Sequence, residues 1–181
     1  MKKSIFLLIF SLFIAATFAQ ETSTITKIEQ AVTTKGFLFK QEVFSVDNIP
    51  SFRIDALKIT NLENFSITNG LKVVHKIQIG KELKTFNNYI DADEIDGLIT
   101  ALQYMKTIIK SKTIPSSYTE IKFTTKSGFQ VMLFTVLNIQ NKLDWSFMAQ
   151  TNISNEKTLV VLTNDDVDKL QKTFTQAKGK I

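Results

Sequence analysis

The sequence DADEIDGLITALQYMKTIIKSK, residues 91–112, decides the fold. Its apolar residues recur at three- and four-residue spacing, at Ile95, Leu98, Ile99, Leu102, Met105 and Ile109. This spacing predicts a helix with one buried face. Asp91, three residues before Glu94, is typical of an N-cap with a reciprocal capping partner, and further acids suit the positive end of the helix dipole. The stretch therefore predicts an amphipathic helix that begins at Asp91.

A fainter copy of this pattern lies at the C-terminus, at a constant offset of 72 residues. The matched pairs are Ile90 with Leu162, Glu94 with Asp166, Ile95 with Val167, Asp96 with Asp168, Leu98 with Leu170, Leu102 with Phe174, Met105 with Ala177, and Ile109 with Ile181. The second helix is expected to begin at Thr163. Each helix follows strand-like sequence, which indicates an internal repeat of two strand-plus-helix units.

The strands come in hairpin-linked runs, which favour a mainly antiparallel sheet and the α+β class. We predict one domain over residues 20–181, built from two ββββα meanders at about residues 37–112 and 116–181. The alternative is a curved β-barrel or a PH-like sheet with packed helices. Residues 23–35, with Ile25, Ile28 and Val32 at helical spacing, predict a short helix that stops at Gly36, or an irregular lead-in.

Two local signals predict strand register. Asn69 and Gly70 form a type I′ hairpin signature, which would place Thr68 opposite Leu71 and Phe65 opposite Val74. The apolar phase also changes after Ile54, which predicts a bulge near Ala56.

Two apolar runs predict buried strands. Residues 129–137 are almost continuously apolar and predict a strand that is covered on both faces, and residues 158–163 predict another central strand.

The N-terminal segment has the form of a secretory signal peptide. Lys2 and Lys3 precede an apolar run over residues 5–18, which is too short for a membrane-spanning helix. We expect cleavage after Ala19, which leaves a soluble periplasmic or secreted chain without membrane insertion. The sequence has no Cys, so a lipoprotein anchor, disulfides and Cys-based metal sites are excluded.

The charge pattern argues against nucleic acid as a partner. The formal charge is +5, and it becomes +3 once Lys2 and Lys3 are removed. The cations are single lysines spread along the chain, and Arg53 is the sole arginine. Nucleic-acid surfaces usually cluster their cations and include arginine.

The run YIDADEIDGLITALQYM, followed by SYTEIKFTTKSGFQV, resembles a family of small exported bacterial proteins with no assigned activity. This resemblance covers most of residues 25–181 and implies no catalytic residues. In the order of its elements the chain is also similar to the Whirly and PUR single-stranded nucleic-acid-binding folds. It lacks the arginine-rich strand faces of those families, and fold analogy alone does not transfer function.

Two single residues are candidates for a ligand or partner site. His75 lies on a strand face with Leu71 and Val73, where a hydrogen-bonded core histidine is the alternative interpretation. Trp145 shares a face with Leu143, where core packing is the alternative to an interface role.

The acidic cluster invites a metal or a carboxylate mechanism. Its members are Asp91, Asp93, Glu94 and Asp96. A calcium loop needs a Gly at the sixth position and a Glu at the twelfth, where this chain has Asp96 and Leu102. Helix capping explains the same residues. We therefore predict no metal, no cofactor and no catalytic residue, and no sequence motif for nucleophilic, nucleotide-dependent or zinc chemistry is found.

These observations lead to three functional hypotheses. The first is a non-catalytic exported domain that binds a protein partner, homodimers included, or a small apolar ligand. The second, by fold analogy, is a nucleic-acid-binding module. The third is a hydrolase that uses two carboxylates across a cleft.

Overall fold

The computed structural model describes residues 25–49 and 51–181. Its helices are α1 (Lys27–Thr33), α2 (Ala92–Ser111) and α3 (Asn164–Lys178). Its strands are β1 (Phe39–Ile49), β2 (Phe52–Asn61), β3 (Ile67–Ile79), β4 (Glu82–Asp91), β5 (Glu120–Thr124), β6 (Gln130–Leu137), β7 (Leu143–Gln150) and β8 (Leu159–Leu162), with a 3-10 turn at Glu156–Thr158. The expected signal peptide, residues 1–19, lies outside the described residues.

The strands form two antiparallel sheets, ordered β1-β2-β3-β4 and β5-β6-β7-β8. Each sheet is followed by a helix, so the predicted pair of ββββα units is confirmed, and the sheets do not close into the alternative barrel. Within the described residues, no helix has the length and apolar character needed to cross a membrane.

Both long helices begin where the sequence predicts. Asp91 and Glu94 form the capping box of α2, and Thr163 and Asp166 form that of α3. The apolar residues paired at the offset of 72 also have equivalent places, since each of these helices buries four of them: Ile95, Leu98, Leu102 and Met105 in α2, and Val167, Leu170, Phe174 and Ala177 in α3. The internal repeat itself stays a prediction.

The two units share one hydrophobic core between the sheets and the helices. Phe129, which directly precedes β6 in the second sheet, is completely buried. Its ring centroid lies 6.4 Å from that of Phe52 in the first sheet and 5.8 Å from that of Phe174 in α3. Such edge-to-face contacts stabilise aromatic pairs beyond the area that they bury. The units are therefore joined through side chains as well as through the backbone.

The face of the first sheet that points away from this core is covered by α1. Thr26 caps α1 through its side chain, and Gly36 follows it in a left-handed conformation at φ 73°, which confirms the predicted short helix. Ile28 packs on Leu57 and Ile59 to form a second, smaller cluster.

This placement of α1 corrects the bulge predicted near Ala56. Strand β2 is regular there, and the irregularity lies in β1 between Ser45 and Asn48. The apolar phase changes because Ile54 faces the main core, whereas Leu57 faces α1 on the opposite side of the sheet.

The hairpin predicted at Asn69 and Gly70 is also wrong. Both residues lie inside β3, where Lys58 is opposite Asn69 and Leu57 is opposite Gly70. The turn lies earlier, where the Oδ1 of Asn61 accepts from the N–H of Glu63 at 2.7 Å. Asparagine side chains stabilise turns in this way without a glycine.

Gly70 has a different role. A Cβ on this residue would lie 2.6 Å from the carbonyl oxygen of Ile90 and 3.0 Å from the Cβ of Ile28. Glycine is therefore needed for the close approach of β4 and α1, since a glycine inside a strand often marks such an approach.

The second sheet departs from prediction on one face. In β6, Val131 and Leu133 are buried, whereas Met132 and Phe134 on the opposite face are half-buried. Strand β8 lies at the edge of its sheet and is not central. A continuous apolar run thus marks a strand with only one covered face.

Candidate functional site

His75 lies in the core seam between the two units and is almost fully buried. Its ring centroid is 4.8 Å from that of Phe52, and its Nδ1 is 3.1 Å from the Oγ1 of Thr151. Burial lowers the pKa of His75 below its usual value of 6.5, because charge is costly in an apolar environment. The geometry is that of a hydrogen-bonded core histidine.

A buried polar network continues from Thr151. The Nδ2 of Asn88 donates to the carbonyl oxygens of Ser127 at 2.8 Å and of Thr151 at 3.0 Å. The hydroxyl of Ser127 in turn donates to the Oδ1 of Asn88 at 2.6 Å. These bonds tie β4 to the loops of the second sheet. Buried polar groups paired in this way fix one arrangement of the units.

The network does not have the geometry of a nucleophile–base pair. His75 contacts the hydroxyl of Thr151, but that threonine is completely buried and out of reach of a substrate. The hydrogen bonds of the Ser127 hydroxyl run to Asn88, Tyr89 and Thr125, none of which is a base. Nucleophilic catalysis requires the reacting oxygen to meet both a base and a substrate.

The low pKa of His75 makes stability depend on pH. The unfolded chain binds a proton near the usual pKa, whereas the folded chain binds it only at lower pH. The free energy of unfolding should therefore fall as the pH drops from 7.5 through 6.5 toward the lower folded pKa. Urea unfolding at a series of pH values from about 7.5 down to about 5 measures this slope, and His75→Gln should remove most of it, since the sequence has a single histidine. An unchanged slope in that variant would contradict the assignment.

Trp145 lies on the core side of β7, near the beginning of the strand, whereas His75 lies near the other end of β7. It is half-buried, and its Nε1–H donates to the carbonyl oxygen of Thr113 at 2.8 Å. It therefore fastens the segment after α2 to the second sheet. Thr151, the partner of His75, follows the other end of β7, about 20 Å away along an extended strand. The two candidates do not form one site, and a binding role for either stays a prediction.

The acidic cluster connects the first turn of α1 with the start of α2 through hydrogen bonds. The carboxylate of Asp91, almost fully buried, accepts from the N–H groups of Lys27 and Ile28, each at 3.0 Å. Glu94 accepts from the N–H of Asp91 at 3.3 Å and from that of Lys126 at 2.7 Å. These bonds pin the first turn of α1 and the β5–β6 loop to the start of α2.

Asp93 completes the cluster on its exposed side. The ammonium groups of Lys27 and Lys126 lie 3.4 and 3.3 Å from its carboxylate. Burial raises the pKa of Asp93, but the hydrogen bonds from Lys126 and Lys27 outweigh burial and lower it. One oxygen from each of Asp91, Asp93 and Glu94 fits within 4.8 Å of the others, a spacing that could hold a cation. The lysines and backbone N–H groups already bind these oxygens, so the arrangement is that of a structural ion-pair network.

A small polar cleft borders the buried polar network at Asn88 and Ser127. It has a volume of about 190 Å³ and is lined by Ile25, Glu29, Asn87, Asn88, Tyr89, Ser127 and Asn152. Burial, and then the charge of Glu29, raises the pKa of Tyr89 above 10.0. The phenol therefore stays protonated near neutral pH and serves the cleft as a neutral polar group.

The outer face of the second sheet carries an apolar surface that the sequence interpretation missed. We call it the outer apolar face, and its members are Met132, Phe134, Val136, Met148, Leu159 and Val161. The register aligns Met132 with Met148 and Met148 with Val161. In the described chain α1 packs on the first sheet, and α2 and α3 pack on the core side. This face therefore has no covering helix of the kind that α1 gives to the first sheet.

The sequence did contain a signal for this face. Residues 130–135 alternate between buried and half-buried positions, but both sets are mostly apolar, so the residue types conceal the alternation. The neighbouring strand β7 alternates more clearly, with Asp144 and Ser146 on the outer side. Reading the two strands in register would have exposed the asymmetry.

Comparisons of this chain with protein-family models, with curated proteins and with solved structures found no match.

Proposed function

We propose that this chain is an exported, non-catalytic domain that binds another protein through the outer apolar face. The observation that carries the proposal is that no described helix covers this face, although Met148 between its neighbours is only 7% exposed. Val161 is 65% exposed, and Phe134 and Met132 are half-buried beside it. Contiguous apolar surface rimmed by polar residues is typical of protein interaction sites. The rim here includes Glu120, Lys122 and Asp144.

The shape of the surface favours a protein over a small apolar ligand. Apolar ligands bind in enclosed pockets of about 300–1,000 Å³ with mostly hydrophobic linings. Three clefts in the described chain have volumes of about 190, 320 and 400 Å³, and each has several polar or charged lining residues. The outer apolar face, in contrast, is a sheet surface, and it suits a partner with a complementary surface.

The same surface does not favour nucleic acid. Single-stranded nucleic acid is bound by aromatic platforms within a basic groove. On β5, beside the outer apolar face, Lys122 lies 2.8 Å from the carboxylate of Glu120, so its charge is balanced locally. For a hydrolase, the carboxylates of Asp91, Asp93 and Glu94 would have to face one another across a cleft, yet they lie together and bind lysines and backbone N–H groups.

Site-specific photo-crosslinking tests the proposal. Benzoylphenylalanine replaces Phe134 in one variant and Tyr104 in a matched control, because Tyr104 is an exposed aromatic residue on α2. We expect a protein crosslink in the producing cells at position 134 and none at 104. The captured protein is then purified and titrated against the unlabelled chain. Phe134→Lys should weaken binding at least tenfold, while Tyr104→Lys should change it less than twofold.

Two results would overturn the proposal. One is equal crosslinking at both positions. The other is a purified candidate that binds Phe134→Lys as tightly as the unchanged chain while both proteins keep their melting temperatures. A crosslink between two copies, with a matching concentration-dependent dimer, would identify the partner protein as a second copy.

A further inference from the structure

Strand β8 presents backbone hydrogen-bonding groups at the open edge of the second sheet. The N–H of Thr151 donates to the carbonyl oxygen of Thr158, which marks this opposed pair as hydrogen-bonded. In an antiparallel ladder such pairs alternate with pairs whose backbone groups point outward. Continuing the register, Val160 and Leu162 bond β7, whereas Leu159 and Val161 direct their N–H and C=O groups away from it.

Two N–H groups along this edge are already bonded within the chain. The N–H of Leu159 donates to the carbonyl oxygen of Glu156 in the 3-10 turn. The N–H of Thr163 donates to the Oδ2 of Asp166 at 3.0 Å in the capping box of α3. Among the described residues, the groups that remain directed at the edge are the N–H of Val161 and the C=O groups of Val161 and Leu159. The edge thus offers one donor and two acceptors.

The other edges of the two sheets carry features that discourage strand pairing. Charged side chains and bulges are the usual protection of exposed edges. Strand β1 has the Lys40–Glu42 pair and a bulge, β4 has the Lys84–Glu82 pair and bonds Ser127, and β5 has the Lys122–Glu120 pair. Strand β8, with the sequence LVVL, has no charged residue. In the part of the chain that the structure describes, its protection is its length of four residues.

A row of side chains across the outer apolar face ends at the same edge of the sheet. Lys122, Met132, Met148 and Val161 form one cross-strand row. At β5 the row ends with the charged residue Lys122, and at β8 it ends with the apolar residue Val161, which is 65% exposed. A further strand beside β8 would continue the row with a contact on Val161, and cross-strand apolar pairs stabilise sheets.

We propose that β8 accepts an extended segment of the partner protein as a fifth, antiparallel strand of the second sheet. This inference rests on the proposed protein-binding function and names the form of the partner. The partner residue opposite Val161 would exchange two hydrogen bonds with it, and the residue opposite Leu159 would donate a third to the C=O of Leu159. Both partner residues place their side chains on the outer apolar face, so both are apolar and are separated by one residue. Strand addition of this kind combines backbone bonds with side-chain selection at alternate positions.

A second copy of β8 fits this edge less well than a foreign strand. Each copy has one free donor, the N–H of Val161, because the N–H groups of Leu159 and Thr163 are bonded within the chain. Any two-fold pairing of β8 with itself therefore leaves one of the two acceptors on each copy unpaired. A foreign extended segment brings unbonded N–H groups and satisfies both acceptors.

Peptide selection tests the inference directly. A phage-displayed library of random dodecapeptides is selected on the full chain, with counter-selection on Val161→Pro. Proline removes the edge N–H, and an edge strand tolerates it where the N–H points outward. Enriched peptides should carry apolar residues at alternate positions. By isothermal titration calorimetry they should bind Val161→Pro at least tenfold more weakly than the unchanged chain.

Val161→Thr is the matched control, because it keeps the N–H and the β-branched shape and should bind within about threefold, the size of a small change in side-chain contact. If Val161→Pro does not fold, Val161→Lys takes its place, since a lysine on an edge opposes strand pairing. Failure to enrich any peptide family, or equal binding to Val161→Pro and Val161→Thr, would overturn strand addition. A dimer of the chain that Val161→Pro dissociates would also overturn it in favour of a second copy.

The two proposals fail separately. If Phe134→Lys weakens binding of the crosslinked partner but folded Val161→Pro binds it normally, the outer apolar face is supported as the binding site and strand addition is contradicted. If instead Val161→Pro abolishes binding and Phe134→Lys has no effect, strand addition at β8 is supported and binding through the rest of the outer apolar face is contradicted.

Discussion

Replacing Asp91 with alanine should detach α1 from the first sheet and lower the free energy of unfolding by about 3 kcal/mol, the sum expected for two hydrogen bonds to a charged group. Asp91 is 2% exposed, and its carboxylate accepts from the N–H groups of Lys27 and Ile28. Without it, two N–H groups of the first turn of α1 lose their acceptor. Alanine also removes the N-cap of α2.

Two measurements separate the loss of α1 from a general loss of stability. Urea unfolding gives the free energy, and limited proteolysis followed by mass spectrometry reports cleavage within residues 25–36. Asp93→Ala is the control, because Asp93 is half-exposed and bonds only the lysine side chains, so it should cost less than about 0.5 kcal/mol. Equal effects of the two substitutions, or unchanged cleavage in Asp91→Ala, would show that Asp91 does not hold α1.

The start of α2 shows what a sequence reveals and what it conceals. The Asp91 and Glu94 spacing predicts a capping box, and the structure confirms it, because a capping box is local and its residues lie three apart. The bond from Ile28 to Asp91 spans 63 residues. No periodicity of a single sequence encodes such a distance, so the capping role was predictable and the anchoring of α1 was not.

The second sheet shows a different limit. Its strands and their meander order were predictable from the sequence, but the exposed face of the sheet was not. An apolar run such as residues 129–137 fits a strand with two covered faces as well as one with a single covered face. Which face is covered depends on where α1 packs, and Ile28 packs on the first sheet. The outer apolar face and the open edge at Val161 are therefore products of topology.

Replacing Gly70 with alanine should lower the free energy of unfolding by about 3 kcal/mol, a cost typical of a methyl group forced into packed structure. The new Cβ would lie 2.6 Å from the carbonyl oxygen of Ile90, which belongs to the backbone of β4 and cannot rotate away. It would also press on Ile28 at 3.0 Å. Relief requires β3 and β4 to separate or α1 to lift, and either movement loses buried contacts.

Gly36→Ala provides the comparison for Gly70→Ala. Gly36 has a left-handed backbone at φ 73°, and beyond its chain neighbours no atom of the described residues lies within 4 Å of the place that a Cβ would take. Alanine there should therefore cost about 1 kcal/mol of backbone strain alone. Urea unfolding of both variants measures the difference. A cost at Gly70 no larger than that at Gly36 would contradict the close packing of α1 and β4 around it.

Replacing Asn69 with valine distinguishes a continuous β3 from a hairpin turn at Asn69 and Gly70, because the two arrangements predict changes in stability of opposite sign. The Oδ1 of Asn69 is buried and has no hydrogen-bond partner among the described residues. Valine removes that unsatisfied atom and favours a strand, so it should raise stability by about 1 kcal/mol. In a type I′ turn Asn69 would need a positive φ, which valine resists, and the same substitution would destabilise the protein. If β3 is continuous, Asn69→Val should raise the free energy of unfolding and Gly70→Ala should lower it. A loss of stability in both variants would instead support a turn at these residues.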